Sequence, residues 1–235
     1  MHSKLLYWKG CMSRLRTTKI ANATEDLLRR MEIDYETLGD DEGCCGSVLL
    51  RTGQVEDAKR VAGRTVKMIR SKGYTEVVTS CPGCFRTMSE EYKKAFGYVP
   101  FRVRHISQLL YENREGLRVH LRPWKVKVTY HDPCHLGRHM GIYEEPRALI
   151  SMVPGVELVE FKYNRKLAVC CGSGGGVHSA FPEIALAVAK AVVNDRPPGV
   201  EIIVTSCPFC NYNLKEAGSA EIIDLPEFLI RAWRD

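Results

Sequence analysis

Short β-branched runs alternate with longer amphipathic stretches along the chain, in the same order in both halves. The short runs predict strands at residues 5–9, 35–38, 76–79, 125–130, 156–161 and 201–205. The longer stretches predict helices at residues 18–31, 55–72, 143–152 and 182–194, with further helices starting near Cys84 and Cys210. Because strands alternate with helices, the pattern predicts an α/β fold with parallel sheets.

The ten cysteines of the chain form two sets of five with nearly the same spacing. The sets are Cys11, Cys44, Cys45, Cys81 and Cys84, followed by Cys134, Cys170, Cys171, Cys207 and Cys210. The last four cysteines of each set are offset by 126 residues, and only the first gap differs, by three residues. This register indicates an internal repeat.

The residues around the cysteines repeat as well, because Cys-Cys-Gly-Ser and Thr-Ser-Cys-Pro-x-Cys each occur once in each half. We therefore predict two pseudo-symmetric, Rossmann-like modules, residues 1–122 and 123–235, joined near residues 120–123. In each module the first cysteine and the Cys-Pro-x-Cys pair follow predicted strands, at the edge where open α/β sheets place ligands. Three loops then converge on one site per module, and a pseudo-twofold axis would bring the two sites face to face.

Charge and targeting signals limit the classes of partner. The formal charge is +6, from 34 basic and 28 acidic residues, and the basic residues are scattered. Without a basic stripe interleaved with aromatic residues, we expect no nucleic-acid partner. Residues 1–11 contain no signal-peptide pattern, and no apolar run is long enough to span a bilayer, which predicts a soluble cytoplasmic protein. In that compartment, ten cysteines indicate metal binding or redox chemistry rather than disulfides.

Four interpretations of the cysteines compete. Zinc takes four tetrahedral ligands, so five cysteines leave one over in each module. A thioredoxin-like dithiol at Cys-Pro-x-Cys leaves three unexplained, and structural disulfides or inert thiols conflict with the compartment. An iron–sulfur cluster uses cysteine thiolates, and adjacent cysteines can flank a multi-iron group better than a single ion. We favour the cluster, and zinc in at least one module stays open.

Glycines follow both Cys-Cys pairs, at Gly46 and at Gly172 and Gly174. Since glycine has no side chain, its backbone N–H can approach thiolate or sulfide sulfur closely. Hydrogen bonds of this kind tune the reduction potential of a cluster. We therefore predict that these three glycines contribute to cofactor binding.

Three histidines, His131, His135 and His139, bracket Cys134 and are candidates for proton transfer to a departing thiolate. Arg138 is a candidate for bidentate binding of a sulfonate, phosphate or carboxylate. The alternative for all four residues is a structural role, capping helices or supporting the cysteine loop.

The spacing of the ten cysteines resembles the cysteine-rich CCG domain family over most of the chain. Members of this family include heterodisulfide reductase catalytic subunits and the iron–sulfur subunits of lactate, glycolate and glycerol-3-phosphate oxidation. The segments Glu-Gly-Cys-Cys-Gly-Ser at 42–47 and His-Asp-Pro-Cys-His-Leu-Gly-Arg-His at 131–139 resemble D-type heterodisulfide reductase subunits. The chain departs from that type in lacking its N-terminal cubane domain, so its domain content resembles the B-type subunit.

This resemblance implies that the five cysteines of each module hold a noncubane [4Fe–4S] cluster, and that the two clusters together cleave a disulfide. A cubane [4Fe–4S] cluster, or zinc, in one module is the alternative. The resemblance also implies a ferredoxin-like iron–sulfur partner and flavin- or haem-containing redox subunits, in a complex either free in the cytoplasm or attached to a membrane-bound partner. We therefore predict a heterodisulfide reductase-like enzyme acting on a small thiol or disulfide. A relay protein in 2-hydroxyacid oxidation is the second hypothesis.

Overall fold

Two parallel sheets organise the computed structural model, which describes residues 4–234. The strands are β1 Leu5–Trp8, β2 Glu76–Thr79, β3 Arg102–His105, β4 Val126–His131, β5 Val156–Leu158, β6 Ile202–Thr205 and β7 Glu221–Asp224. The first sheet has the order β1-β2-β3 and the second the order β5-β4-β6-β7. Every strand pair is parallel, which confirms the predicted α/β fold.

Helices connect the strands and cover the sheets. In the first half they are α1 Cys11–Leu15, α2 Thr18–Arg30, α3 Ser47–Arg51, α4 Val55–Ser71, α5 Pro82–Arg86, α6 Tyr92–Phe96, α7 Ile106–Glu112 and α8 Arg114–Arg118. In the second half they are α9 Glu144–Ser151, α10 Val177–Ala180, α11 Pro182–Asn194, α12 Pro208–Glu216 and α13 Leu225–Arg231. A π-helical turn, Thr87–Glu91, joins α5 to α6.

One predicted strand is reduced to a single bridge. Instead of a strand at 35–38, only Glu36 pairs with Leu6, although it lies where β5 lies in the second sheet. A 3-10 turn at Gly39–Asp41 ends the extended segment before more pairs can form. The strand prediction for 35–38 is therefore wrong, and the first sheet has three strands.

Two strands and the helices after them were not predicted. Strand β3 consists of Arg102, Val103, Arg104 and His105, whose charges conceal a buried end. The Arg104 guanidinium is buried because it pairs with the carboxylates of Glu76 and Glu112. Strand β7 occupies the equivalent edge position in the second sheet, so the two modules share more structure than their hydrophobic patterns indicate.

The largest hydrophobic cluster contains side chains from both halves, among them Tyr7 and Leu28 with Tyr130 and Phe228. Two smaller clusters each enclose one set of cysteines. Each sheet takes its strands from one side of the predicted boundary at residue 122, and the boundary itself stays a prediction. Within residues 4–234, no helix is long and apolar enough to cross a membrane.

Candidate metal centre

The carboxyl ends of β1 and β2 bring the first five cysteines together. Cys11 opens α1 three residues after β1, and Cys81 precedes α5 two residues after β2. Thiol hydrogen bonds join the five sulfurs in a row: Cys11, Cys44, Cys45, Cys84 and Cys81. The three loops therefore converge as the strand positions predict.

The second five cysteines repeat this arrangement at the ends of β4 and β6. Their thiols also hydrogen-bond in a row: Cys134, Cys170, Cys171, Cys210 and Cys207. All ten cysteines of the chain are free thiols rather than disulfides. Both sets are partly covered, with Cys45 and Cys171 buried and Cys11 and Cys134 less so.

The second thiol of each row is prepared to ionise. Cys11 and Cys45 donate to Cys44, and the backbone N–H of Gly46 adds a third donor, so the pKa of Cys44 is lowered. The pKa of Cys170 is lowered in the same way, by Cys134, Cys171 and the N–H of Gly172. Because metals bind thiolates rather than thiols, this hydrogen bonding favours loading of both sites.

Glycine approaches sulfur in both modules, but not at all three predicted positions. The backbone nitrogens of Gly46 and Gly172 lie 3.3 and 3.5 Å from the sulfurs of Cys44 and Cys170. Gly174 lines the cavity beside the second set, and a Cβ there would have open space. The role of these glycines toward a cofactor stays a prediction.

The donor set fits a multi-atom sulfur cluster. Five thiols surround each site, and the buried indole Nε1 of Trp8 has no hydrogen-bond partner. That nitrogen lies 4.0 Å from where a Cβ on Gly10 would stand, beside the sulfur of Cys84. Among residues 4–234, no three His, Cys, Asp or Glu side chains surround one point as ligands of a single ion would. The ten cysteines would hold the clusters, and the Trp8 N–H is a free donor beside the first one.

The family model for the cysteine-rich domain, CCG, matches the chain twice, at residues 5–89 and 128–215. The chain belongs to the CCG cysteine-rich domain family. Each match contains one complete set of five cysteines, so both CCG modules keep the ligand pattern.

Known relatives of these CCG modules are redox proteins by name. The D-type subunit of dihydromethanophenazine:CoB–CoM heterodisulfide reductase from Methanosarcina acetivorans is 39% identical over 91% of this chain and 54% of its own. The B-type subunit of fumarate reductase (CoM/CoB) from Methanothermobacter marburgensis is 33% identical over 99% and 47%. EtfAB:quinone oxidoreductase from Syntrophomonas wolfei is 28% identical over 97% and 34%. The chain spans about half the length of the first two relatives.

The three histidines near Cys134 of the second CCG module occupy different environments. His131 is buried, and its Nε2 contacts the carbonyl oxygen of Val169 at 3.1 Å. Burial lowers the pKa of His135 to about 4, assisted by the charges of Arg86 and Arg51. His139 is exposed, and its ring lies edge-on to His135 at 5.3 Å. His131 therefore supports the loop before Cys170, whereas His135 lines the cavity.

Arg138 lies at the outer side of the same CCG loop. Its guanidinium donates to the carbonyl oxygens of Lys166 at 3.4 Å and Ala168 at 2.5 Å. These bonds tie the segment before Cys170 to the Cys134 loop, which is the structural alternative given for this residue. Anion binding by Arg138 stays a prediction.

A narrow cavity of about 60 Å³ lies between the two CCG modules. Cys134, Cys170 and Cys207 of the second module line one side, and Ser47 and Arg51 of helix α3 line the other. Larger depressions of about 270 and 420 Å³ elsewhere are lined by no cysteine. The inter-module cavity is therefore where a small molecule can reach the second sulfur set.

Phe209 is the middle residue of the second Cys-Pro-x-Cys turn, where the first module has Gly83. Its ring packs against the hydrophobic clusters around both cysteine sets and lines the cavity. Sequence reasoning did not select Phe209, although the difference from Gly83 in otherwise matched turns marks it. It is the side chain that fills the space between the two sites.

Side chains from distant helices hold the Cys-Cys backbones. Tyr92 donates to the carbonyl oxygen of Cys45 at 2.9 Å, and Asn213 donates to that of Cys171 at 2.6 Å. Both side chains are buried. They do not occupy equivalent positions in the repeat, so the register of the cysteines does not reveal them.

Proposed function

We propose that this chain is the catalytic iron–sulfur part of a heterodisulfide reductase-like complex. The observation that carries the proposal is that two complete five-thiol sets lie on either side of Phe209 and one cavity. A site for one-electron relay needs one cluster, whereas reduction of a disulfide needs two electrons. The 39% identity to a D-type heterodisulfide reductase subunit, over 91% of the chain, supports the same reaction.

The reaction takes up two electrons and two protons, breaks one S–S bond and releases two thiols. Two noncubane [4Fe–4S] clusters would supply one electron each and accept the two sulfur atoms of the substrate. The chain holds those clusters through five cysteines per module and stabilises thiolate charge with the N–H groups of Gly46 and Gly172. The reverse reaction, formation of a disulfide from two thiols, uses the same groups.

His135 is the candidate to manage a proton at the departing sulfur. It lines the cavity beside Cys134, and its Nδ1 is buried without a partner. Its lowered pKa keeps the ring neutral near pH 7, so it presents one N–H donor and one acceptor nitrogen. His139 is exposed next to it and can exchange protons with solvent.

A ferredoxin-like iron–sulfur partner would deliver the electrons, from flavin- or haem-containing redox subunits. The chain covers 54% of the D-type relative, which therefore contains further sequence outside the two CCG modules. A cytoplasmic complex, free or attached to a membrane-bound partner, is part of this proposal.

The deciding experiment uses protein purified without oxygen. We expect about eight iron and eight sulfide per chain, with negligible zinc, as two [4Fe–4S] clusters require. With an artificial one-electron reductant, the protein should turn over a mixed disulfide. The matched variants Cys45→Ala and Cys171→Ala should each lose about half the iron and nearly all turnover, because two electrons are needed at once.

Other results lead to different conclusions. About four iron with one zinc would mean that one module has a structural metal, and the two-cluster mechanism would be wrong. Retention of turnover by either cysteine variant would also exclude it.

The second candidate function is electron relay without disulfide chemistry, as in a 2-hydroxyacid oxidation complex. The observation that favours it is the relation to EtfAB:quinone oxidoreductase, at 28% identity over 97% of this chain. A relay would contain reducible clusters and pass electrons to an acceptor, but it would leave mixed disulfides intact. The same turnover assay therefore separates the two functions.

A further inference from the structure

We propose that Arg51 and Arg86 of the first module form an oxyanion-binding site at the inter-module cavity, for a carboxylate, sulfonate or phosphate group. Arg51 ends helix α3 and Arg86 ends helix α5, so the two side chains come from different loops of the first cysteine site. They converge on the cavity wall that faces Cys134 and Cys170 of the second module.

One carboxylate is shared between the two arginines. The guanidinium nitrogens of Arg51 and Arg86 lie 3.1 and 3.2 Å from the same oxygen of Glu91, and Lys94 lies 3.7 Å from its other oxygen. The Arg51, Arg86 and Glu91 side chains are only 24%, 18% and 16% exposed. Two guanidinium groups with one carboxylate leave a net positive charge in a partly desolvated place, where an anion gains most.

An unused hydrogen-bond donor lies at this charge. The Nε of Arg51 is buried and has no hydrogen-bond partner. Because an unsatisfied buried donor costs free energy, such groups in native proteins usually have a partner that completes them. A planar oxyanion is the natural partner, since two oxygen atoms match the fork of a guanidinium group.

The histidines of the second module face this site without adding a negative charge to it. The positive charges of Arg86 and Arg51 contribute to lowering the pKa of both His135 and His139. Nδ1 of His135 is also buried without a partner. A neutral imidazole can therefore donate a further hydrogen bond to the same anion.

This inference deepens the proposed function, on which it rests for the statement that the anion belongs to the substrate. It assigns to Arg51 and Arg86 the role that the sequence suggested for Arg138, whose guanidinium contacts backbone carbonyls instead. One end of the disulfide substrate would carry the oxyanion, held beside Cys134.

The test measures binding rather than turnover. Ethanesulfonate, acetate and inorganic phosphate are titrated separately into oxygen-free holoprotein by calorimetry, at constant ionic strength. We expect at least one of them to bind with a dissociation constant of about 1 mM. Arg51→Gln should weaken that binding at least about tenfold, because it removes charge-assisted hydrogen bonds. Comparison of the three anions shows which oxyanion the site prefers.

Two further variants make the result specific. Arg51→Lys keeps the charge and the fold but removes the planar fork, so we expect binding several-fold weaker than in the wild type. Arg60→Gln, on the exposed face of α4 beside Asp57, should bind like the wild type. Equal affinity in wild type and Arg51→Gln, or no binding of any anion to the wild type, would overturn the site. Anion binding without disulfide turnover would instead refute the proposed function and leave the site intact.

Discussion

Gly172 and Gly174 stand two residues apart in the loop after the second Cys-Cys pair, yet the structure constrains them very differently. Gly172 has a φ of 90°, and a Cβ there would lie 2.8 Å from Cβ of Val188. Gly174 has open space around the same position. At the residue scale, a glycine-rich sequence therefore contains one position that requires glycine and another that tolerates a side chain.

We expect Gly172→Ala to lower the free energy of unfolding by about 2–4 kcal/mol, from the left-handed backbone and the clash with Val188. It should also reduce iron bound by the second module, because the N–H of Gly172 would move away from Cys170. Gly174→Ala is the matched control and should change stability by less than about 0.5 kcal/mol. Chemical unfolding and iron analysis of both variants check this, and equal losses would contradict it.

At the scale of elements, the loop after β4 is held by a buried ion-pair network. Both guanidinium Nη atoms of Arg147, on α9, lie 2.7 Å from the carboxylate of Asp132, and Glu160 pairs with the same guanidinium at 2.6 Å. The Asp132 and Arg147 side chains are 2% and 5% exposed. Since Asp132 lies two residues before Cys134, this network places the first ligand of the second module.

Arg147→Met should lower the free energy of unfolding by about 3–5 kcal/mol, because it leaves the Asp132 carboxylate buried without its partner. Iron bound by the second module should fall while the first module keeps its own. Arg60→Met removes the exposed pair with Asp57 and should cost less than about 1 kcal/mol. Chemical unfolding and iron analysis measure both variants. A small effect of Arg147→Met on both stability and iron would mean that the loop does not depend on this network.

At the scale of the whole molecule, the two modules share one hydrophobic core although each builds its own sheet. Helix α2 of the first module contacts α13 of the second, and Leu27 and Leu28 belong to the same cluster as Phe228. The chain between the modules is also fixed, because Leu121 pairs with Trp233, and the ring of the residue before Leu121 stacks on the indole at 4.9 Å. We therefore expect the two modules to unfold together.

Phe228→Ala should cost about 3–5 kcal/mol, because the fully buried ring leaves a cavity in the shared core. Although Phe228 lies in the second module, amide hydrogen exchange in β1 of the first should accelerate as well. Phe96→Ala removes a ring that is 42% exposed and serves as the control. Unchanged protection of β1 in Phe228→Ala would show that the modules unfold independently.

The sequence by itself determined the ten cysteines, the repeat and the α/β fold, because ligand spacing and hydrophobic periodicity are local patterns that a repeat shows twice. The edge strands β3 and β7 escaped prediction, since charged residues in such strands find partners only across the fold, as Arg104 does with Glu76.

Only the tertiary structure decided which residues surround the cavity. Arg51, Arg86 and Phe209 come together there because the two modules pack face against face, and that packing depends on contacts between residues far apart in sequence. The placement of Arg138 against backbone carbonyls was decided in the same way.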